Sequence, residues 1–532
     1  MATGATTPGR GPGTALQPSG AGISRTTRVL VISALSLFIA SIALLGVAMA
    51  LGMPAVAGGP MWSISATPSP DSVVVLQGVG MLAGALSVCL GIGAVGLGWR
   101  PSARLLVAIG AAVAVLYVFL PPSWGDTDVL NYAIYGRIAA LGHSPYLMTP
   151  GQLYRTGDPV AVLGPQAWRN WPTVYGPVAT ALQWAAAKLG GTSMAWIVFW
   201  IKVGNAIAFV LTALGLVRLT AGNRALQARS CILWVVNPLL LFWLVGNGHI
   251  DILLGLAAVL LLMVIQASQR DSKVAGLVSG LIIGAGTAIK TPFALAALGV
   301  AWALRKSPWT IMAGIVGAAA VLVPCYLRPG VLDGAVLSRR LTWDQGFLHL
   351  PAAISSRPDV YGALILIAGV VMAAVLLWRM PQSYPPLPWA RPAAALVLAW
   401  LVVFPTAGPW YDAAIFPLVA LIVPSWLDYI IIAHCALLSE MALPTATNHS
   451  AYEIERMVGI VSHAGVLLVP VVLIILCLLR RWQVSQTDAV DSGAGLAAEQ
   501  NYRTQLPALS IRRWRLPATD ELTTRGRHRA QH

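Results

Sequence analysis

Apolar residues run in stretches of about twenty between residues 29 and 479, and charged side chains fall almost entirely in the breaks between the runs. At ~1.5 Å of rise per residue, such a run matches a ~30 Å hydrocarbon core, so each predicts a membrane-spanning helix. The repetition predicts an all-α polytopic membrane protein of about 12–14 transmembrane helices. The first run follows Arg25 and Arg28, exceeds a signal-peptide core and lacks a small-residue cleavage site, which reads as a retained helix. One segment has a different period. After Pro121-Pro122, the apolar residues Leu130, Ile134, Ile138 and Leu141 recur every three to four positions, predicting an amphipathic helix that Gly142 and Pro145 end.

Lys and Arg in short breaks mark the cytoplasmic side. With the N-terminus inside, the cytoplasmic breaks hold Arg100/Arg104, Arg218/Arg224/Arg229, Arg270/Lys273, Arg305/Lys306, Arg379/Arg391 and the tail from Arg480. The outer breaks are then 52–71, 122–193, 246–251, 328–360, 406–412 and 440–456. This scheme requires that 174–189 not cross, that 282–303 turn round near Lys290-Thr291-Pro292, and that 409–441 form two short spans broken at Pro424.

Composition agrees with the pattern. Of 532 residues, 57% are hydrophobic and 10% charged, which excludes a soluble globular domain. Residues 1–27 and 484–532 are polar and poor in large apolar side chains, so they read as disordered cytoplasmic tails flanking a membrane domain over 28–483. The net charge of +15 suits an anionic inner leaflet, and the arginines flanking spans already have a topological role, so nucleic acid is not an expected partner. The five cysteines lie in or beside apolar runs without metal or redox spacing and read as packing residues.

Candidate chemistry sits where ionisable groups interrupt this pattern. The outer loop 122–193 opens with Asp126-Thr127-Asp128, and Asp128 stands at the N-cap position of the amphipathic helix; Tyr132 follows one turn on. A cap for Asp128 and a local turn bond for Asp126 are the structural alternatives to catalysis. Two carboxylates without further ligands do not make a metal site, and none is expected. Lys202 and Lys290 lie within apolar sequence, and His249 and Asp251 follow Gly246-Asn247-Gly248; burial of such groups costs several kcal/mol unless a partner or cavity is present. Pro409-Trp410-Tyr411-Asp412 and Trp343-Asp344 add aromatic and acidic groups, part of which interface anchoring explains. A carboxylate, shallow cations and aromatic rings on one face suit an anionic lipid head carrying a sugar.

These residues resemble those of the polyprenol-phosphate-mannose-dependent α-(1→6)-mannosyltransferases of actinobacteria, membrane glycosyltransferases of the GT-C superfamily. The matching landmarks occur in order: Asp128, Tyr132, Gly136, Gly142-His143-Ser144-Pro145-Tyr146, Tyr175-Gly176-Pro177, Asn237-Pro238, Gly248-His249-Ile250-Asp251, Lys290 and Pro409-Trp410-Tyr411. Two positions depart from the family: Thr127-Asp128 replaces an Arg-Asp pair, and His249-Ile250-Asp251 replaces a His-Asn-Glu. The resemblance implies a GT-C fold and inverting transfer of a sugar from a polyprenyl phosphate to a glycolipid or glycan outside the plasma membrane, without metal or cofactor. It implies Asp128 as base with Asp126 as second choice, Lys290, Lys202 and His249 at the donor phosphate, and Tyr132, Tyr175, Asp251, Trp410 and Tyr411 at the substrate. An arabinosyl donor is the alternative within the class. A lipid-linked sugar transporter is the alternative outside it, and it predicts inverted repeats that the sequence does not show.

Overall fold

A computed structural model of the chain describes residues 24–64, 70–124, 127–166, 168–267, 272–332, 358–384, 389–403, 408–443, 452–479 and 482. Asp126, Trp343-Asp344, residues 1–23 and the C-terminal tail lie outside the described residues, while residues 25–27, read as the end of the N-terminal tail, already open the first helix. The described part is helical, with one isolated antiparallel bridge, Ser383 to Ile422, and no strand.

Among the described residues, six helices are long and apolar enough to span a bilayer: α1 (Arg25–Ala50), α2 (Pro70–Gly96, apolar from Ser72), α7 (Met194–Leu219), α8 (Arg224–Gly246), α12 (Pro308–Tyr326) and α13 (Pro358–Arg379, apolar from Gly362). Shorter apolar helices accompany them, namely α3 (Ala103–Val118), α9 (Ile252–Ala267), α10 (Lys273–Thr287) and α11 (Phe293–Ala303) between the long ones and α14 (Ala390–Val403) after the last. Loop 122–193 contributes α4 (Asp128–Ala140), α5 (Pro150–Tyr154) and α6 (Pro177–Gly190); the chain ends in α15 (Trp426–Met441) and α16 (Tyr452–Leu479).

The core is densest around α8. Its backbone loosens into π-helical turns at Cys231–Val235 and Leu241–Gly246, on either side of Asn237-Pro238. Pro238 has no N–H for the ladder, and Asn237 caps the restart by accepting from the Leu239 N–H. The second π segment delivers the chain to Asn247-Gly248-His249, as such segments often do at functional sites.

The structure redraws three details of the sequence reading. Asp128 is the first helical residue of α4, and Thr127 takes the N-cap position without a side-chain bond. α4 is covered on nearly all sides, since α6 and α7 bury residues beyond its apolar stripe; only Asp128 at its start, Arg137 and the last turn keep exposed surface. Gly136 makes this possible, because a side chain there would collide with the Gln183 carbonyl of α6. Third, residues 409–423, read as a short span, do not form a continuous helix. They form a 3₁₀ turn, Pro409–Ala414, and one α-turn, Phe416–Val419, both buried, and the helix resumes only at Trp426. Prolines at 409, 417 and 424 deny this stretch the N–H donors a continuous helix needs.

Candidate active site

Four chain segments build the site, and buried polar side chains of α7 hold the first two. The stretch leading into Asp128 is pinned twice: Lys202 of α7 donates to the Leu120 carbonyl, and Asn247 accepts from both the N–H and the hydroxyl of Ser123, at 2.8 and 2.9 Å. Asn205, one turn after Lys202, donates to the carbonyls of Leu244 and His249 at 2.7 and 2.9 Å. Lys202, Asn205 and Asn247 are all buried. These bonds fix the ends of α3 and α8 against each other, satisfying carbonyls that the helix ends leave open.

The third segment is Tyr175-Gly176-Pro177. Gly176 donates to the Ile289 carbonyl and Val178 to that of Ala288, at 3.1 and 2.9 Å, inside the break between α10 and α11. A β-carbon at Gly176 would collide with Ala288, so only glycine admits this approach. Tyr146 ties in the preceding motif by donating to the Tyr175 carbonyl at 3.0 Å. The fourth segment is the turn Pro409–Ala414, whose Gly408 leaves room for the Trp410 ring to fold back.

These scaffolds place two polar clusters side by side. In the first, the Tyr175 hydroxyl donates to that of Tyr132 at 3.2 Å. Tyr132 in turn lies 3.5 Å from Asp128 Oδ2 and 3.4 Å from His249 Nδ1, with Asp128 and His249 4.0 Å apart. His249 is fully buried under Trp410, whose ring stacks on it at 3.7 Å and 9°. Asp128 keeps a fifth of its side chain exposed. Burial, with Tyr175, Asp128 and Asp251 adding to it, holds the Tyr132 phenol well above its usual range, so it stays protonated as a donor. Burial and the nearby Asp128 and Tyr411 do the same for Tyr175.

In the second cluster, Lys290 Nζ binds Asp251 Oδ1 at 2.7 Å and rests 3.5 Å above the centre of the Tyr411 ring. Asp251 is buried, and its Oδ2 has no hydrogen-bond partner among the described residues; Lys290 remains partly exposed. Tyr411 lies within electrostatic reach of both Lys290 and Asp128, which joins the clusters into one surface. Its half-exposed members are Asp128, Tyr175, Lys290, Trp410 and Tyr411; Tyr132, His249 and Asp251 lie behind them.

Lys202, expected at the donor phosphate, instead serves the Leu120 carbonyl with none of its surface exposed. His249 and Asp251 lie behind the exposed residues, as neighbours of Tyr132 and Lys290. Asn205 and Asn247 escape a search for charge, although Asn205 stands three positions from Lys202 within the same apolar run. Among the described residues no group of three or more His, Cys, Asp or Glu is placed to hold a metal ion.

Residues 28–306 match the family model described as "Alpha-(1->6)-mannopyranosyltransferase, N-terminal domain". The chain is 24% identical to α-(1→6)-mannopyranosyltransferase B of Corynebacterium glutamicum over 438 residues, 72% of this chain and 71% of that protein. It is 26% identical to α-(1→6)-mannopyranosyltransferase A of the same organism over 183 residues, 34% of this chain and 36% of that protein. No solved structure matches the chain significantly.

Proposed function

Because the chain belongs to the α-(1→6)-mannopyranosyltransferase family, we propose that it moves mannose from a polyprenyl-phosphate donor to a hydroxyl of a glycolipid or glycan, outside the plasma membrane and with inversion. The observation that carries this reading is that a partly exposed carboxylate, Asp128, and a partly exposed ammonium, Lys290, both lie within electrostatic reach of Tyr411. In the reaction the acceptor oxygen bonds to the anomeric carbon as the bond from that carbon to the phosphate oxygen breaks. The acceptor proton passes to Asp128, and the lipid phosphate leaves with one more negative charge.

Lys290 meets that charge. Its ammonium has three N–H donors; Asp251 takes one and Tyr411 lies against it, which leaves a donor for the phosphate. Tyr132, kept protonated, orients Asp128 from behind, while Tyr175, Trp410 and Tyr411 offer ring faces to the sugar. The reaction written this way requires neither nucleotide nor metal ion. The outer location is supported by the basic loops: Arg218 stands 13 residues beyond Asn205 on α7, about 20 Å further along the helix. Positive charge concentrated at that far end is the cytoplasmic signature.

The test is incubation of purified protein in detergent with radiolabelled mannosyl and arabinosyl phosphopolyprenols and a panel of membrane glycolipids. Product from the mannosyl donor alone is expected. Product from the arabinosyl donor alone, or from neither, would reject the reading.

A further inference from the structure

We propose that the buried pair Asp412–His434 positions the aromatic surface of the site, a role that rests on the transfer reaction above. Asp412 lies in the turn Pro409–Ala414, directly after Trp410 and Tyr411, and His434 projects from α15. Both side chains are wholly buried, and His434 Nδ1 lies 3.1 and 3.0 Å from the two carboxylate oxygens of Asp412. The other ring nitrogen of His434 has no partner among the described residues, so Asp412 is the polar contact that accounts for a histidine at this place.

The turn has few other restraints of comparable strength. Prolines at 409 and 417 and the short 3₁₀ form leave it without a helix's continuous ladder. Yet it carries two contacts that need close tolerances: Trp410 stacked at 3.7 Å on His249, and Tyr411 3.5 Å beneath Lys290. Asp412 is one residue from the second and two from the first. A small rotation of the turn therefore displaces the ring under the ammonium and uncovers the histidine behind Tyr132 together.

α15 braces the same cluster at neighbouring positions. Cys435 Sγ donates to the Pro409 carbonyl at 3.9 Å, and Ser439 accepts from the indole N–H of Trp243, whose ring lies 5.6 Å from that of Trp410. Of these contacts, the Asp412–His434 pair alone carries a carboxylate and sits next to the working residues. It is a positioning pair. It touches no substrate and acts through Trp410 and Tyr411.

The chemistry of the contact supplies the test. In His434→Asn the side-chain amide nitrogen takes nearly the place of Nδ1 and still donates to Asp412, whereas in His434→Gln it lies nearer the place of Nε2 and does not. Two measurements are made on both variants of the full chain in detergent: the donor kcat/KM for mannosyl transfer, and hydrogen exchange of the segment 409–415, whose exchanging amides are those of 410–415, by mass spectrometry. His434→Asn should stay near wild type in both. His434→Gln should lose about tenfold to 10²-fold in donor kcat/KM, the scale of ångström-level misplacement, with faster exchange confined to 409–415. Unchanged exchange in His434→Gln, exchange that rises throughout the bundle, or equal effects of the two substitutions would overturn the proposal. A wild type that transfers no mannose would refute the transfer reading, and the exchange arm would still decide whether the pair holds the turn.

Discussion

Arg229–Asp428 and Lys290–Asp251 are both ion pairs between a cation and a buried aspartate, and they are built for opposite purposes. Arg229 uses all five of its N–H donors inside the protein, on both oxygens of Asp428 and on the carbonyls of Val419, Ala420 and Ile422. Neither member is appreciably exposed. Lys290 instead binds a single oxygen of Asp251, leans on an aromatic ring and keeps part of its surface open. A saturated pair fixes structure because no donor remains for anything else; an unsaturated one at a surface retains the means to bind an anion. Arginine's rigid fork suits the first task, and the compact, rotatable ammonium suits the second.

Breaking the saturated pair should give the largest effect. Arg229→Met leaves Asp428 as a lone buried carboxylate and takes a donor from three carbonyls, which should lower stability by about 3–5 kcal/mol. Unfolding of the detergent-solubilised protein measures it, and an unchanged midpoint would mean that the clamp does not hold α15 to α8. What protein remains folded should bind donor normally, since Arg229 is remote from the half-exposed surface.

Asp128→Asn should act the other way round. The chain should fold and insert as wild type, because the amide preserves size and Asp128 is not the cap of α4, while transfer falls by about 10²-fold or more for loss of a general base. Near-normal turnover would move the base elsewhere.

Lys290→Met should come next, lowering donor kcat/KM by about tenfold to 10²-fold with less effect on the acceptor. Equal losses for donor and acceptor would remove Lys290 from the phosphate. The substitution also strands Asp251, so the comparison sharpens in the double variant Lys290→Met/Asp251→Asn. There the lost thermal stability should return and the lost transfer should not. Recovery of transfer with stability would make Lys290–Asp251 a structural pair like Arg229–Asp428.

The sequence distinguishes these pairs only in part, for a physical reason. Charged residues within apolar runs are conspicuous because their burial is expensive, and that criterion finds Lys202, Lys290, His249 and Asp251. It cannot say which partner satisfies each. Lys290 meets an aspartate 39 residues away, and Lys202 a backbone carbonyl 82 residues away, so two lysines alike in sequence have different roles. Uncharged polar side chains barely alter hydropathy, which hides Asn205 and Asn247, and His434 passes as one more residue of an apolar stretch. The helices themselves are legible as apolar runs. The π turns of α8 and the buried 3₁₀ stretch after Pro409 are not, because both depend on tertiary packing around prolines.

The smallest predicted effect tests the layer behind the exposed residues. Tyr132 receives the Tyr175 hydroxyl and stands between Asp128 and His249, and its high pKa makes it a hydrogen-bond donor rather than a second base. Tyr132→Phe keeps the ring, its edge contact with Tyr175 and nearly all of the packing, and deletes the shared hydroxyl. One net hydrogen bond is worth about 0.5–1.5 kcal/mol, so kcat should fall about two- to tenfold, with the donor KM unchanged because the ring faces that meet the sugar stay in place. A loss as large as that of Asp128→Asn would make Tyr132 a direct participant in proton transfer. A change confined to KM would place its hydroxyl on the substrate, in front of the carboxylate and not behind it.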